Sequence, residues 1–546
     1  MNPIGPTAAQ ASAGACSANE PRTLAHARAF VALPARGFLA RWSWVILPLV
    51  VLLAVTLPKL NQGDWRGDTG WYAALGLDAA RSGRWTLSAG EGEPYFNKPP
   101  LVFWIVGRVL DWFGVDMLVA RLTSVLAAAI GVVATAGVAR ELGTRRLGAM
   151  AGVILALTYE YFRRTREISL DMWHAAFLLL AAWAIVKGAV AGTVPLWPRG
   201  HMRKGTEQDR QRAGASITPG QPSRSPLHVW SIAWLALAGV PVGLALMTKP
   251  LIALAFVPIL AIWLWRVRGG KHAALVLVTL MVGVVIALPW HLWMMRTYGD
   301  AFLEQYFGRE IAARASGQLV GGQKATQPVW YYLAQIAGGY WPWLLALVAA
   351  MIARIWRSPA GLLALVWAGA WLILLTAFPD RRDRYAIPIY PGLAIASAMG
   401  VLYLCRGVRR RRVNVALRLA APASMVIAIV VAALPIRVQS KPDEQWTKLE
   451  AFINADTAHR TLYEGASDGA PAARVFLITG DWPIPTRDGV DKPLAIPPHG
   501  SLIFYHARGG RTPGPGESIV FHAGDLTITR LDGDAWNPAT IADPGE

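Results

Sequence analysis

Two short stretches place a charge where a helix is about to start: Asp68 in GDTGWY and, thirty positions later, Lys98 in YFNKPP. A carboxylate can take up a proton or hold a cation. An ammonium whose direction is fixed by the helix-opening Pro99-Pro100 can neutralise a phosphate. Further charges of both signs recur at Arg166 and Asp171 in REISLDM, Lys249 in MTKP, Arg309 and Arg314 in a later loop, and Arg381 in DRRDRY. Arginine suits bidentate contact with phosphate and lysine acts as a point charge, so the chemistry on offer is capture of a phosphorylated group at headgroup depth. Each arginine alone also fits a solvated loop resting on anionic headgroups, and Asp171 also fits an N-terminal helix cap.

These residues stand out against a chain of 546 residues that is 54% hydrophobic and 16% charged, with 25 tryptophans. A soluble protein needs more polar surface, so the composition is that of an integral membrane protein. Formal net charge is +19, but the basic residues sit mainly between apolar runs. That distribution suits cytoplasmic loops facing anionic lipid and argues against a nucleic-acid partner. Cys16 and Cys405 lie far apart and give neither a disulfide framework nor a metal-ligand cluster. AGAC at 13–16 lacks the apolar segment a lipoprotein signal would need.

Apolar runs long enough to cross a bilayer fall near 42–59, 117–139, 147–162, 171–191, 228–247, 250–265, 272–294, 329–353, 359–378, 385–405 and 415–436. Arg22, Arg28, Arg36 and Arg41 hold the N-terminus inside, which puts Asp68 outside. The stretch LVFWIVGRVLDWFG (101–114) is short for a span and carries Arg108 and Asp111. If it crossed, RELGTRR (140–146) and the basic insertion 199–224 would fall outside. Laid flat in the outer interface, it returns both, with RVRGGK and RGVRRRR, to the inside. A second interfacial helix is expected at 72–85. Eleven crossings follow, with the N-terminus inside, the C-terminus outside, and a candidate break at GGYWPW in the eighth.

The expected organisation is a flexible cytoplasmic tail (1–41), a transmembrane domain (42–436) and a small outer α/β domain (437–546). The transmembrane domain has an outer loop at 60–116, a cytoplasmic insertion at 192–227 and a Gly-rich outer loop at 295–328 that would close over a substrate. In the outer domain 474–480, 501–507 and 518–531 read as short strands.

The order of these motifs, from about residue 43 to 400, resembles the polyprenyl-phosphate-dependent glycosyltransferases of the GT-C fold. The bacterial aminoarabinose transferases that modify lipid A are the nearer relatives, and the protein O-mannosyltransferases the more distant. The family's Asp-Glu-x-Arg-Tyr reads Asp68-Thr69-Gly70-Trp71-Tyr72 here, and its Phe-Glu-Lys-Pro-Pro reads Phe96-Asn97-Lys98-Pro99-Pro100. The Arg-x-x-x-Leu-Asp motif is intact from Arg166 to Asp171. A Glu-His pair reads Glu310-Ile311, and Lys-x-x-x-Tyr reads Arg381 to Tyr385. The residues changed at 97 and 311 could ligate metal in relatives, so no tightly bound metal is expected here.

What the resemblance implies is an all-α polytopic GT-C protein of about 11–13 transmembrane helices. It would sit in the bacterial inner membrane and move a sugar, with inversion, from a polyprenyl-phosphate donor to a lipid A-like or other envelope acceptor, glycolipid, polymer or protein, on the periplasmic side. Lys98, helped by Arg166 and Arg381, would hold the donor phosphate, and Tyr385 would hydrogen-bond it or the sugar. Asp68 would take the acceptor's proton, or position a phosphate acceptor or a loosely bound divalent cation. Asp171, the second catalytic residue, would orient Lys98 or Arg166 or support the base, and Tyr72, Lys249, Glu310 and Arg314 complete the substrate contacts. A lipid or polysaccharide transporter, or a non-catalytic envelope-assembly protein, is the alternative. Spans nearly free of central charge and the lack of an internal repeat weigh against a transporter.

Overall fold

The structure is a computed structural model that describes residues 41–65, 68–89, 93–190, 229–313, 327–408, 410–433, 443–455, 462–466, 470–485, 500–506 and 516–532. The tail at 1–40, the insertion at 191–228 and Arg314 lie outside the described residues.

The first apolar run forms α1 (Arg41–Thr56), followed by α2 (Asp68–Ser82) and α3 (Leu101–Phe113). A small antiparallel ribbon, β1 (Ser88–Ala89) with β2 (Glu93–Pro94), lies between α2 and α3. Then come α4 (Met117–Leu142), α5 (Arg145–Ala156), the short α6 (Tyr159–Arg164) and α7 (Leu170–Val190). Beyond the insertion are α8 (Val229–Leu246), α9 (Pro250–Leu254), α10 (Phe256–Arg268), α11 (Gly270–Ala274) and α12 (Val276–Phe302). The last runs on into a π-helical segment, Leu303–Ala313. The apolar part ends with α13 (Tyr331–Gly339), α14 (Trp343–Ile352), α15 (Pro359–Ala377), a 3-10 turn Asp383–Ile389, α16 (Tyr390–Leu404) and α17 (Arg410–Ala433).

Each of the eleven apolar runs is helical over its described residues, though 147–162, 250–265, 272–294 and 329–353 each divide into two helices and 385–405 opens on a 3-10 turn. Among the described residues five helices are long and apolar enough to cross a membrane, or six if α13 and α14 form one span; the rest are shorter or broken. The α13–α14 pair is bent by 107°. The bend falls at GGYWPW, where Pro342 has no amide hydrogen to continue the helix. Local chemistry sets other boundaries: Asp116 caps α4 by accepting from the Leu118 amide at 2.7 Å, and Ser358 caps α15 through the Gly361 amide at 3.1 Å.

The pairing of α2 with α3 matters most for function. Val102, Phe103, Val106 and Leu110 of α3 are buried, whereas Trp112 and Phe113 are 69% and 72% exposed. That split is the pattern of a helix with protein on one side and an apolar medium or interface on the other. Gly76 and Gly107 sit at the crossing: a Cβ on either would collide with the backbone of the facing helix. The helices therefore touch main chain to main chain, and this fixes Asp68 at the start of α2 relative to Lys98 just ahead of α3.

Residues after 443 form α18 (Glu444–Ala455), α19 (Ala470–Thr479) and a five-stranded mixed sheet. The strand order is β4 (Ile484–Pro485), β3 (Leu462–Ala466), β5 (Leu502–His506), β7 (Leu526–Leu531), β6 (Glu517–Ala523). The expected strands at 501–507 and 518–531 are present, but 474–480 is not a strand. It belongs to α19, where Ala473, Phe476 and Leu477 share one helical face and join the core that includes α2. The run VFLI carries no alternation, so its period could not be read, and packing decided the outcome.

Gly107→Ala should force α2 and α3 apart at a cost of roughly 1–3 kcal/mol and lower the melting temperature in detergent. Gly369→Ala, whose added Cβ meets nothing within 4 Å, should leave it unchanged. Equal melting temperatures would show that the crossing is not tight.

Candidate active site

The first turn of α2, the strand leading to Lys98, the connection into α7, Lys249 ahead of α9, the π-helical segment and the turn at 382–385 converge on one cavity of about 690 Å³. Of the side chains expected to act, Asp68, Tyr72, Lys98, Arg166, Asp171, Lys249, Glu310 and Tyr385 line it. Asp68 and Lys98 thus share one pocket, and so lie on one side of the molecule.

The charges in this cavity are interleaved in pairs. Asp68 pairs with Arg384 and also accepts a hydrogen bond from Tyr72. Lys98 Nζ lies 2.5 Å from Glu310 Oε2. Lys249 Nζ lies 2.6 Å from Asp171 Oδ1 and 4.7 Å from the centre of the Tyr385 ring. Asp171 therefore orients Lys249, not Lys98 or Arg166. The first turn of α7 is served by Ser169, whose Oγ accepts from the Met172 amide at 3.2 Å. Arg166 lines the cavity, yet its guanidinium donates to the carbonyls of Val55 and Pro58, each at 3.1 Å. It closes off carbonyls at the end of α1 that no further helical turn would satisfy.

Arg381 is not in the cavity. Its guanidinium donates at 2.8 Å to the backbone carbonyls of Gln327 and Thr376. Arg382 and Arg384 take the places expected for it. The 3-10 turn that starts at Asp383 decides which arginine of DRRDRY points inward, and spacing to Tyr385 alone did not reveal that turn. Asp383 anchors it: its Oδ1 accepts from the Arg384 amide at 2.8 Å, and its Oδ2 pairs with Arg163 at 3.0 Å and with Arg164. The Tyr332 hydroxyl, 3.2 Å from the Arg382 carbonyl, braces the same turn. Arg163 and Arg164 close α6 and directly precede the 166–171 wall, so this clamp joins two walls of the cavity.

Near Lys98, Asn97 Oδ1 accepts from Gln305 Nε2 at 2.7 Å, and position 311 is isoleucine. Among the described residues no group of three His, Cys, Asp or Glu side chains is placed to hold a metal ion. With Lys98 against Glu310, the residues at this spot do not fit a resident cation.

Asp68 keeps 46% of its side chain accessible because it opens on the cavity. Burial pushes its pKa up, but the Arg384 guanidinium and the Tyr72 hydroxyl more than offset this and hold the carboxyl below its ordinary value.

Comparison with known proteins bears on the fold and on sequence similarity. Residues 97–198 match the family described as dolichyl-phosphate-mannose-protein mannosyltransferase. The undecaprenyl phosphate-alpha-4-amino-4-deoxy-L-arabinose arabinosyl transferase 1 of Pseudomonas fluorescens strain Pf0-1 is 26% identical over 379 residues, 67% of this chain and 58% of the relative. The corresponding transferase of Erwinia tasmaniensis is 25% identical over 401 residues, 72% of this chain and 65% of the relative. The chain thus spans less than two thirds of the length of these relatives. The crystal structure of ArnT from Cupriavidus metallidurans bound to undecaprenyl phosphate superposes with a TM-score of 0.62 at 16% identity, covering 90% of this chain and 99% of that one. Its apo state gives the same TM-score at 17% identity, covering 92% and 99%. The chain has the GT-C fold of ArnT, a polytopic membrane architecture, and its sequence is similar to those of aminoarabinose transferases.

Proposed function

We propose that this protein transfers a sugar, with inversion, from a polyprenyl-phosphate donor to an envelope acceptor such as a lipid A-like glycolipid. The cavity would face the periplasm from the bacterial inner membrane, with the N-terminus cytoplasmic. The observation that carries this reading is the meeting of Asp68 and Lys98 in one cavity together with Lys249, Arg382 and Arg384. The sequence relatives named above and the undecaprenyl phosphate bound in the ArnT structure support the choice of donor.

In this reaction the anomeric C–O bond breaks and its electron pair passes to the phosphate oxygen, while the acceptor oxygen bonds to the opposite face of the sugar. Cations preorganised in a partly dehydrated cavity stabilise the charge growing on that phosphate, by roughly 3–4 kcal/mol for one well-placed donor. Lys98 and Lys249 are the ammonium groups available, with Arg382 and Arg384 beside them. Tyr385, packed under Lys249, offers a hydroxyl to the phosphate or sugar. Asp68, with its pKa held down by Arg384, is a weak base. It suits an acceptor that needs little deprotonation, such as a phosphate group, and its main work is then to place the acceptor. Asp171 acts through Lys249 as a positioning residue.

Asp68→Asn and Lys98→Ala should each lower turnover by about 10²–10³, measured as sugar transfer from the undecaprenyl-phosphate donor, with the melting temperature retained. Wild-type turnover in both would remove this reading.

A pH profile tests the pairing. Because Asp68 has a depressed pKa, activity should persist until the pH falls through that low value. In Arg384→Gln the main influence opposing burial is lost and only Tyr72 and Arg382 still lower the pKa, so the acid limb of kcat/KM should move to higher pH. A limb that stays in place would mean that Asp68 is not the group titrating.

A further inference from the structure

We infer that Glu310 is the anion an incoming phosphate displaces from Lys98, so that donor binding is an exchange of anions and Glu310 sets how tightly the phosphate is held. This rests on the reading that the cavity takes a polyprenyl phosphate, and it changes the expected part of Glu310 from substrate ligand to competitor.

The pair Lys98–Glu310 is close, at 2.5 Å, and its carboxylate is 4% exposed against 20% for the ammonium. Both line the cavity. A phosphate oxygen reaching Lys98 enters the field of a carboxylate already bonded there, and two anions at one ammonium repel. The other cations are committed differently. Arg166 and Arg121 donate to backbone carbonyls, while Lys249, Arg384 and Arg382 pair with Asp171, Asp68 and Asp380. Glu310 comes from the segment best suited to give way. It lies near the far end of a π-helical stretch, which follows a break at Gly299 where φ is +51°.

Only the side chain needs to move. Earlier in the same segment Gln305 donates to Asn97 at 2.7 Å, and the Tyr306 hydroxyl lies 3.1 Å from His291 Nε2. The Tyr306 ring also stacks on Phe302 at 4.9 Å. The first contact holds the segment to the stretch carrying Lys98, and the other two hold it to α12, while Glu310 swings away.

The charge balance gives the exchange a use. Six Lys and Arg side chains line the cavity against five Asp and Glu, and of these Asp64, Glu167 and Arg382 pair with Arg474, Arg164 and Asp380 outside the lining, which leaves the cavity net positive. A phosphodiester donor carries one negative charge and suits such a cavity. The phosphomonoester left after transfer carries more, and Glu310 then works against its retention.

The test is binding of undecaprenyl phosphate to the full-length protein in detergent, followed by tryptophan fluorescence, with melting temperatures to establish folding. Glu310→Gln should bind roughly tenfold more tightly, as expected when one charge-assisted hydrogen bond no longer has to be broken. Lys98→Ala should bind more weakly, and adding Glu310→Gln to it should bring no gain. Should Glu310→Gln not fold, Glu310→Asp, whose shorter side chain loosens the pair, should give a smaller gain. Unchanged or weaker binding in the folded Glu310 variant, or an equal gain without Lys98, would overturn the exchange. Loss of the transfer reading is separate, because it would appear as turnover that survives in Asp68→Asn and Lys98→Ala whatever the binding.

Discussion

Asp68 and Arg384 are 316 residues apart in the chain and meet as an ion pair. At the boundary of a bilayer a lone charge is costly, so charges there are held in pairs. That constraint organises the whole cavity. Each wall supplies a charge that another wall completes: α2 to the 382–385 turn, the strand before α3 to the π-helical segment, the start of α7 to Lys249. The pairs act as ties between distant segments, so the fold and the constellation of charges are specified together. Asp383 extends the same logic outside the cavity, where it joins α6 to the turn that presents Arg384.

The C-terminal region is tied to this arrangement. Asp64, which lines the cavity, pairs with Arg474 of α19 and accepts from the Asp443 amide at 3.0 Å. Arg474 also lies 4.4 Å from the centre of the Trp446 ring, and Trp482 meets Trp71 of α2 edge-on at 6.1 Å. The helix that carries Asp68 is thus held by α3 through glycine contact on one flank and by α19 on another. The small α/β unit contributes to the rigidity of the site, which is what electrostatic preorganisation requires.

Much of this was legible in the residues. Apolar runs gave the helices, because burying the backbone in lipid leaves few alternatives to a helix. The break at GGYWPW was legible because proline removes a donor. From the balance of basic loops 101–114 is expected to lie flat in the outer interface, and the structure adds that it is a helix buried along one side. The pairing pattern was not legible. Which arginine of DRRDRY faces inward depends on a 3-10 turn held by Asp383, and that turn needs Arg163 and Arg164 from another part of the chain. The partner of Asp171 is likewise set by packing of α7 against α8, which brings Lys249, just past the end of α8, to Asp171. Helix α19 was missed because a four-residue apolar run has no readable period, and its burial against α2 is a long-range fact.

The central claim is that α3 does not pass through the lipid, so that Asp68, Lys98 and the far end of α3 share one side. Single cysteines replacing Trp85, ahead of α3, or Trp112, at its end, in a background with Cys16 and Cys405 changed to serine, test it most directly. Both tryptophans are exposed, at 57% and 69%. With a membrane-impermeant maleimide on intact cells, both cysteines should react from outside. A residue 85 that reacts at once and a residue 112 that reacts only after the membrane is opened would contradict the account.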